Sequence, residues 1–224
     1  MGYVIALSGP SGVGKTTFLQ ELFSEENSVS DKILILPRYT TRPKRNQEEE
    51  GFEYHFISHL NMLERIFDNQ FVHFEKWGDY YSGIETISIE STINSDKIGI
   101  VLASSLGSSR LRKYYGDRII QLYMWSGITE SLYNSDSINP VSDQVIELKW
   151  RIRKKLVDNG FSEFETASLT NDEFLEKRMI DNYLDIAAVN ASLNADENFK
   201  VLANLHNEIT GTVLKFIDIV KKLN

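Results

Sequence analysis

Residues Tyr3-Val4-Ile5-Ala6-Leu7-Ser8 run directly into Gly9-Pro10-Ser11-Gly12-Val13-Gly14-Lys15-Thr16, and Thr17-Phe18-Leu19-Gln20-Glu21-Leu22-Phe23 follows. The opening run is almost wholly apolar, as suits a parallel strand covered on both faces. After the octet, apolar residues recur at Phe18, Leu19, Leu22 and Phe23, a helical spacing. The octet satisfies GxxxxGK[ST] throughout. Its glycines let the backbone fold tightly, so that successive N–H groups converge on phosphate oxygens. A helix starting near Lys15 aims its positive end at the same place. A chain of this length shows the bare pattern by accident on the order of one time in a hundred. Its place between an apolar strand and a helix is the context the motif requires.

The candidate ATP-binding residues are therefore Gly9, Pro10, Ser11, Gly12, Val13, Gly14, Lys15, Thr16 and Thr17, with ATP and Mg2+ as the expected cofactors. Lys15 is expected to reach the β- and γ-phosphates and Thr16 to ligate the metal. Working outward, Lys32–Leu36, Lys97–Ser104 and Arg118–Trp125 read as further buried strands, Asn171–Tyr183 as a helix, and Tyr183–Asn190 as a last short strand. Phe199–Leu223 reads as an amphipathic closing helix. Strands alternating with helices predict an α/β fold of the P-loop NTPase kind, a parallel sheet flanked by helices. Residues 38–94 differ in texture. They carry a basic stretch, the acidic run Glu48–Glu50, many aromatics, and short strand-like pieces around one helix near Leu60–Asn69. The expected organisation is a core of 1–37, 95–126 and 184–224, a small mixed acceptor-binding insert at 38–94, and a helical lid with connecting helices at 127–183.

The chain has 224 residues, enough for one good-sized α/β domain. Hydrophobic and charged fractions of 42% and 25% are ordinary for a globular protein. No apolar run is long enough to cross a bilayer, and the N-terminal run reads as a strand, not a signal peptide. With no cysteine, disulfides, thiolate nucleophiles and Cys-based zinc sites are excluded. A cytoplasmic setting is the expectation. A net charge of −8 argues against general nucleic-acid binding but not against nucleotides, which need only local positive groups. The expected partners are ATP and a small phosphorylated acceptor, with no nucleic acid and no membrane.

A second set of residues resembles the guanylate kinases: the loop GPSGVGKTT, then Tyr39-Thr40-Thr41-Arg42-Pro43-Lys44-Arg45, Glu50-Gly51-Phe52-Glu53-Tyr54-His55-Phe56, and Gly78-Asp79-Tyr80-Tyr81. These motifs cover about the first ninety residues. The resemblance implies transfer of the ATP γ-phosphoryl group to GMP or dGMP. It places Arg42, Arg45, Tyr54 and Tyr81 on the acceptor's phosphate, a chemistry that fork-shaped guanidinium donors and tyrosine hydroxyls suit in any case. In the lid, Arg151 falls where the family carries an arginine, and Arg178 is a further candidate. The expected catalytic set is Lys15, Arg42 and Arg151.

The base-reading end departs from the family. Where guanylate kinases place a glutamate after a Phe-aliphatic pair, Phe71-Val72 is followed by His73, with Glu75 two residues on. The family's Asp-x-Asp becomes Ala103-Ser104-Ser105, and a serine four residues before the first arginine becomes Arg38. Arg38, His73, Glu75 and Ser105 thus join the acceptor-binding candidates. The chain is also similar to the ribose bisphosphate phosphokinases at Arg38-Tyr39-x-Thr41-Arg42 and at Tyr80-Tyr81, which implies a sugar-phosphate acceptor as the alternative. A third reading is a non-catalytic guanylate kinase-like binding module, against which the intact Lys15 and Thr16 speak.

Overall fold

The computed structural model describes residues 1–24, 31–46, 48–127, 150–154, 156–158, 160–163, 166, 199–205 and 208–223. The helix expected at Asn171–Tyr183, the strand at Tyr183–Asn190 and Arg178 lie outside these residues. The apolar run at the N-terminus forms β1 (Tyr3–Ser8), and the octet leads into α1 (Lys15–Leu22). Then come β2 (Ile33–Ile35), β3 (Arg38–Thr40), β4 (Tyr54–Phe56), α2 (His59–Phe67), β5 (Phe71–Trp77), β6 (Tyr80–Glu85) and α3 (Thr86–Ile93). The chain continues through β7 (Ile98–Leu102), α4 (Ser105–Tyr115), β8 (Ile119–Gly127), β9 (Phe199–Leu205) and α5 (Ile209–Lys221).

Five strands form a central sheet in the order β2-β7-β1-β8-β9. Strands β1 and β2 flank β7, both parallel to it, with Tyr3 opposite Ile98 and Leu7 opposite Leu102. Pro37 ends β2, since it has no N–H to continue a ladder. Four strands form a second, mixed sheet in the order β4-β3-β6-β5. There β3 pairs parallel with β4 and antiparallel with β6, and β5 pairs antiparallel with β6. The family-like stretches Arg38–Phe56 and Gly78–Tyr81 thus fold into this small sheet.

The chain divides into two compact units. The first comprises Met1–Ser8, Ser28–Leu122 and Asn198–Lys200. Its apolar centre joins Val4, Ala6, Leu36, Ile84, Ile89, Val101, Ala103, Leu111 and Ile119, so inward residues of β1 and β7 meet α3 and α4. The second unit comprises Gly9–Asn27, Tyr123–Glu197 and Val201–Asn224. In it α1 packs on α5, with Phe18 and Phe216 edge to face, their rings 5.2 Å apart. Leu19, Leu22 and Val213 are fully buried beside them. No helix among the described residues is long and apolar enough to cross a membrane.

Two sequence expectations are corrected. Phe199–Leu223 is not one helix: Phe199–Leu205 is β9, and only Ile209–Lys221 is helical. Leu202 and Asn204 are buried while Val201 and Ala203 are partly exposed, the two-residue alternation of a strand. The 38–94 segment holds a second helix besides α2, for Thr86–Ile93 is α3. Its β-branched residues read as strand-like, and burial of Ile89 and Thr92 overrides that local preference.

Truncating Phe216, at the centre of the α1–α5 contact, is expected to cost about 3–5 kcal/mol. The measurement is urea denaturation of Phe216→Ala beside the parent chain; a midpoint within error of the parent's would contradict the packing described.

Candidate active site

The octet builds its cradle within the second unit. Gly9, Gly12 and Gly14 adopt φ of 142°, 87° and 99°. Gly14 caps α1 in the left-handed conformation and brings no side-chain cap of its own. A Cβ on Gly14 would lie 2.5 Å from Asn204 Nδ2, so the position excludes a side chain by sterics as well as by φ. Lys15 curls over the loop, its Nζ donating to Gly9 O at 2.5 Å and Pro10 O at 3.0 Å.

Underneath, the loop is held by groups remote in sequence. Asn204 Nδ2 donates to Val13 O at 2.6 Å, and its Oδ1 accepts from Thr212 Oγ1 at 3.3 Å. Arg151 donates through Nη1 to Val13 O at 2.9 Å and through Nη2 to Asn204 O at 2.8 Å. Arg151, expected as a lid arginine, here braces the loop and β9. The loop's glycine conformations and ammonium group suit a polyphosphate anion. For Mg2+ the loop offers the Thr16 hydroxyl, and no cluster of three or more His, Cys, Asp or Glu among the described residues could hold a metal.

The first unit holds the acceptor candidates. Arg42 makes a two-pronged pair with Glu48, Nη1 to Oε2 at 2.6 Å and Nη2 to Oε1 at 2.5 Å. The Arg45 backbone N–H also donates to Glu48 Oε2 at 2.9 Å. The Arg42 guanidinium lies 4.8 Å from the Tyr54 ring centre and 5.3 Å from that of Phe56. Partial burial would raise the Glu48 carboxyl, but the hydrogen bonds from Arg42 and Arg45 win and hold it below its ordinary value. The Arg45 side chain remains mostly exposed. Tyr81 is fixed through its backbone: its N–H donates to Thr41 Oγ1, and its carbonyl accepts from Thr41 N. Arg42 and Arg45 thus meet around one carboxylate, with the Tyr54 ring against the Arg42 guanidinium.

The base-end candidates form a separate buried cluster. Glu75 Oε1 accepts from Arg38 Nη2 at 2.8 Å, and Oε2 accepts from Ser104 Oγ at 2.8 Å and lies 3.4 Å from His73 Nε2. On its other side, His73 Nδ1 lies 3.4 Å from Arg110 Nη1. Arginine can only donate and a carboxylate only accept, so a neutral imidazole with its hydrogen on Nε2 satisfies both. Register resolves which residue lies where: a bulge between Phe71 and His73 lets His73 face Ile84 and Glu75 face Ser82, so both side chains share one face of β5. Burial alone would raise the Glu75 carboxyl. His73, Arg38 and Ser104 reverse this and hold it far below the usual glutamate range.

Position 103, where the family carries an acid, is apolar here, and Ala103 belongs to the core. Ser104 caps α4, accepting from Gly107 N at 3.0 Å while donating to Glu75. The Ser105 hydroxyl is buried without a partner among the described residues. Gly107 lets α4 approach β5, for a Cβ there would lie 2.8 Å from His73 Cδ2. Glu48, Arg110 and Asn204 were not singled out as site residues from the sequence. Only Glu48 left a signal, an acid three residues beyond the second arginine.

A GxxxxGK[ST] loop between a strand and a helix, on a parallel sheet flanked by helices, defines the P-loop NTPase class. Comparison with known proteins narrows this. The guanylate kinase family model matches residues 1–178, so the chain belongs to the guanylate kinase family. The guanylate kinase of Porphyromonas gingivalis strain W83 is 27% identical over 176 residues, spanning 78% of this chain and 92% of that protein. That of Campylobacter jejuni strain RM1221 is 26% identical over 208 residues, spanning 92% and 98%. The crystal structure of guanylate kinase from Anaplasma phagocytophilum shares the fold at a TM-score of 0.62 and 14% identity, covering 99% of this chain and 85% of that one. The chain is a phosphotransferase of the nucleoside monophosphate kinase type.

Because the folded state depresses the Glu75 carboxyl, its contribution is fully present above the unfolded glutamate value of about 4.3 and is lost as pH falls below it. Glu75→Gln should therefore cost on the order of 3 kcal/mol at pH 7. That gap should persist to about pH 5 and narrow progressively on further acidification. Urea unfolding of both proteins from pH 7 to pH 3 reads this directly; a gap already closing between pH 7 and 5.5 would contradict the assignment.

Proposed function

We propose that this chain, in the cytoplasm, transfers the γ-phosphoryl group of ATP to the phosphate of GMP or dGMP, giving ADP and the nucleoside diphosphate. The observation that carries this is the Arg42 fork. It lies against Tyr54 and Phe56 and already grips an oxyanion, the Glu48 carboxylate, with two parallel hydrogen bonds. A phosphate presents the same paired oxygens. In this reading Arg42, Arg45, Tyr54 and Tyr81 bind the acceptor phosphate. Arg38, His73, Glu75 and Ser105 form the base end.

Gly9 to Thr17 hold the ATP phosphates, with Lys15 on the β- and γ-oxygens. Mg2+ would take the Thr16 hydroxyl as one ligand, the rest falling to phosphate and water oxygens, and would neutralise charge on the transferred group. Arg151 acts in catalysis by fixing the Val13 carbonyl and hence the loop's shape. The acceptor phosphate is already a nucleophile, so the transfer needs positioning and charge neutralisation and no strong general base.

ADP release from Mg·ATP, measured across GMP, dGMP, AMP, UMP, dTMP, CMP and ribose bisphosphate, tests the reading. GMP and dGMP should give the highest turnover. Lys15→Ala should lower kcat by about 10²–10³-fold. Arg42→Ala should lower kcat/KM for GMP by about 10–100-fold, the worth of hydrogen bonds to a charged group. Turnover with ribose bisphosphate and none with GMP would transfer the assignment to a sugar-phosphate kinase. Absence of ATP binding would leave a binding module.

A further inference from the structure

The Glu75 cluster leaves one donor and one acceptor unfilled, side by side. Arg38 is 7% exposed, yet its Nε–H is buried with no acceptor among the described residues. Its Nη2 donates to Glu75 Oε1. Nε–H and Nη2–H lie on one edge of the planar guanidinium and point the same way. The unused donor and the Nη2 group that engages Oε1 therefore lie side by side on Arg38. Among the described residues Oε1 takes only that bond, whereas Oε2 takes Ser104 and faces His73. A carboxylate offers about four lone-pair sites. Arg38, Ser104 and His73 occupy three, and the fourth is on Oε1.

A ligand edge carrying a carbonyl oxygen next to an N–H fills both vacant positions at once. Guanine and hypoxanthine present that edge as O6 and N1–H, whereas adenine presents an amino donor in place of the O6 acceptor. Once N1–H takes the last site on Glu75, no carboxylate position remains for guanine's 2-amino group. No second carboxylate bonds to Arg38, His73, Ser104 or Arg110 among the described residues. Ala103 is apolar core, and the Ser105 hydroxyl is neutral.

We infer that the Arg38–Glu75 pair reads the O6/N1–H edge and leaves the 2-amino group largely unread, so that the acceptor class is 6-oxopurine nucleoside monophosphates, IMP as well as GMP. This rests on the kinase reading above and deepens it.

The test is kcat/KM of the unaltered enzyme for GMP, IMP and AMP at saturating Mg·ATP. IMP should fall within about tenfold of GMP. AMP should fall at least about a hundredfold below it, since it leaves two buried groups mispaired at about ten- to a hundredfold each. GMP turnover with IMP more than a hundredfold poorer would show the 2-amino group to be read, overturning this inference and leaving the kinase assignment intact. AMP equal to GMP would overturn the edge assignment. No turnover of GMP at all would sink the kinase reading and this inference with it.

Discussion

Removing a carboxylate and a guanidinium from water costs several kcal/mol per ion, and their attraction offsets this only when the remaining hydrogen-bonding capacity is nearly filled. Arg38 and Glu75 are under that constraint, with side chains 8% and 12% exposed. Much of the first unit is arranged to meet it. Arg38 comes from β3 and Glu75 from β5, the two strands that flank β6, so both must be in register with it. The bulge at Val72 sets which β5 residues face inward. Ser104 reaches Glu75 only because it stands at the start of α4, and α4 comes close enough only because residue 107 lacks a side chain. One ion pair thus ties the small sheet to the helix that follows β7.

The second unit solves a different problem. A loop whose N–H groups must converge on an anion leaves carbonyls pointing away, and these need donors of their own. The Val13 carbonyl takes two, from Asn204 and Arg151. Both donors come from far along the chain. Closure of the β9–α5 segment is therefore a condition for the loop's shape, and Thr212 on α5 in turn orients the Asn204 amide. A charged residue serves here as structure beneath the glycine-rich loop, and that makes Arg151 sensitive to the Arg-to-Lys exchange, which would lose the two-armed contact.

What was legible in the sequence was local. The run Tyr3–Phe23 carries its strand, loop and helix in adjacent residues, so no distant partner is needed to recognise it. Ile98–Leu102 and the start of β8 are continuous apolar runs and declare themselves in the same way. Phe199–Leu205 does not, because Phe199, Leu202 and Leu205 also fit a helical stripe and only burial of Asn204 reveals the strand. Helix α4 begins Ser-Leu-Gly-Ser-Ser, a composition that reads as loop until Ser104 is seen capping it. At the site, the resemblance to guanylate kinases made candidates of Arg42, Tyr54 and Glu75. The partnerships of Glu75 with Ser104, and of Val13 with Arg151, depend on separations of 29 and 138 residues, which no local pattern encodes.

Glu48 shows how such a partnership bears on the proposed reaction. An arginine aimed at an anion-binding site is costly to hold in one rotamer without a partner, since its side chain carries about 2 kcal/mol of rotamer entropy. Glu48 supplies the partner, and the Tyr54 and Phe56 rings supply a surface for the guanidinium to lie against. Glu48 carries one negative charge and a nucleotide phosphate carries nearly two, so the incoming group is the stronger ligand for the same fork. In the proposed reaction the arginine is therefore ordered before the acceptor arrives, and part of the entropy cost of binding is met during folding.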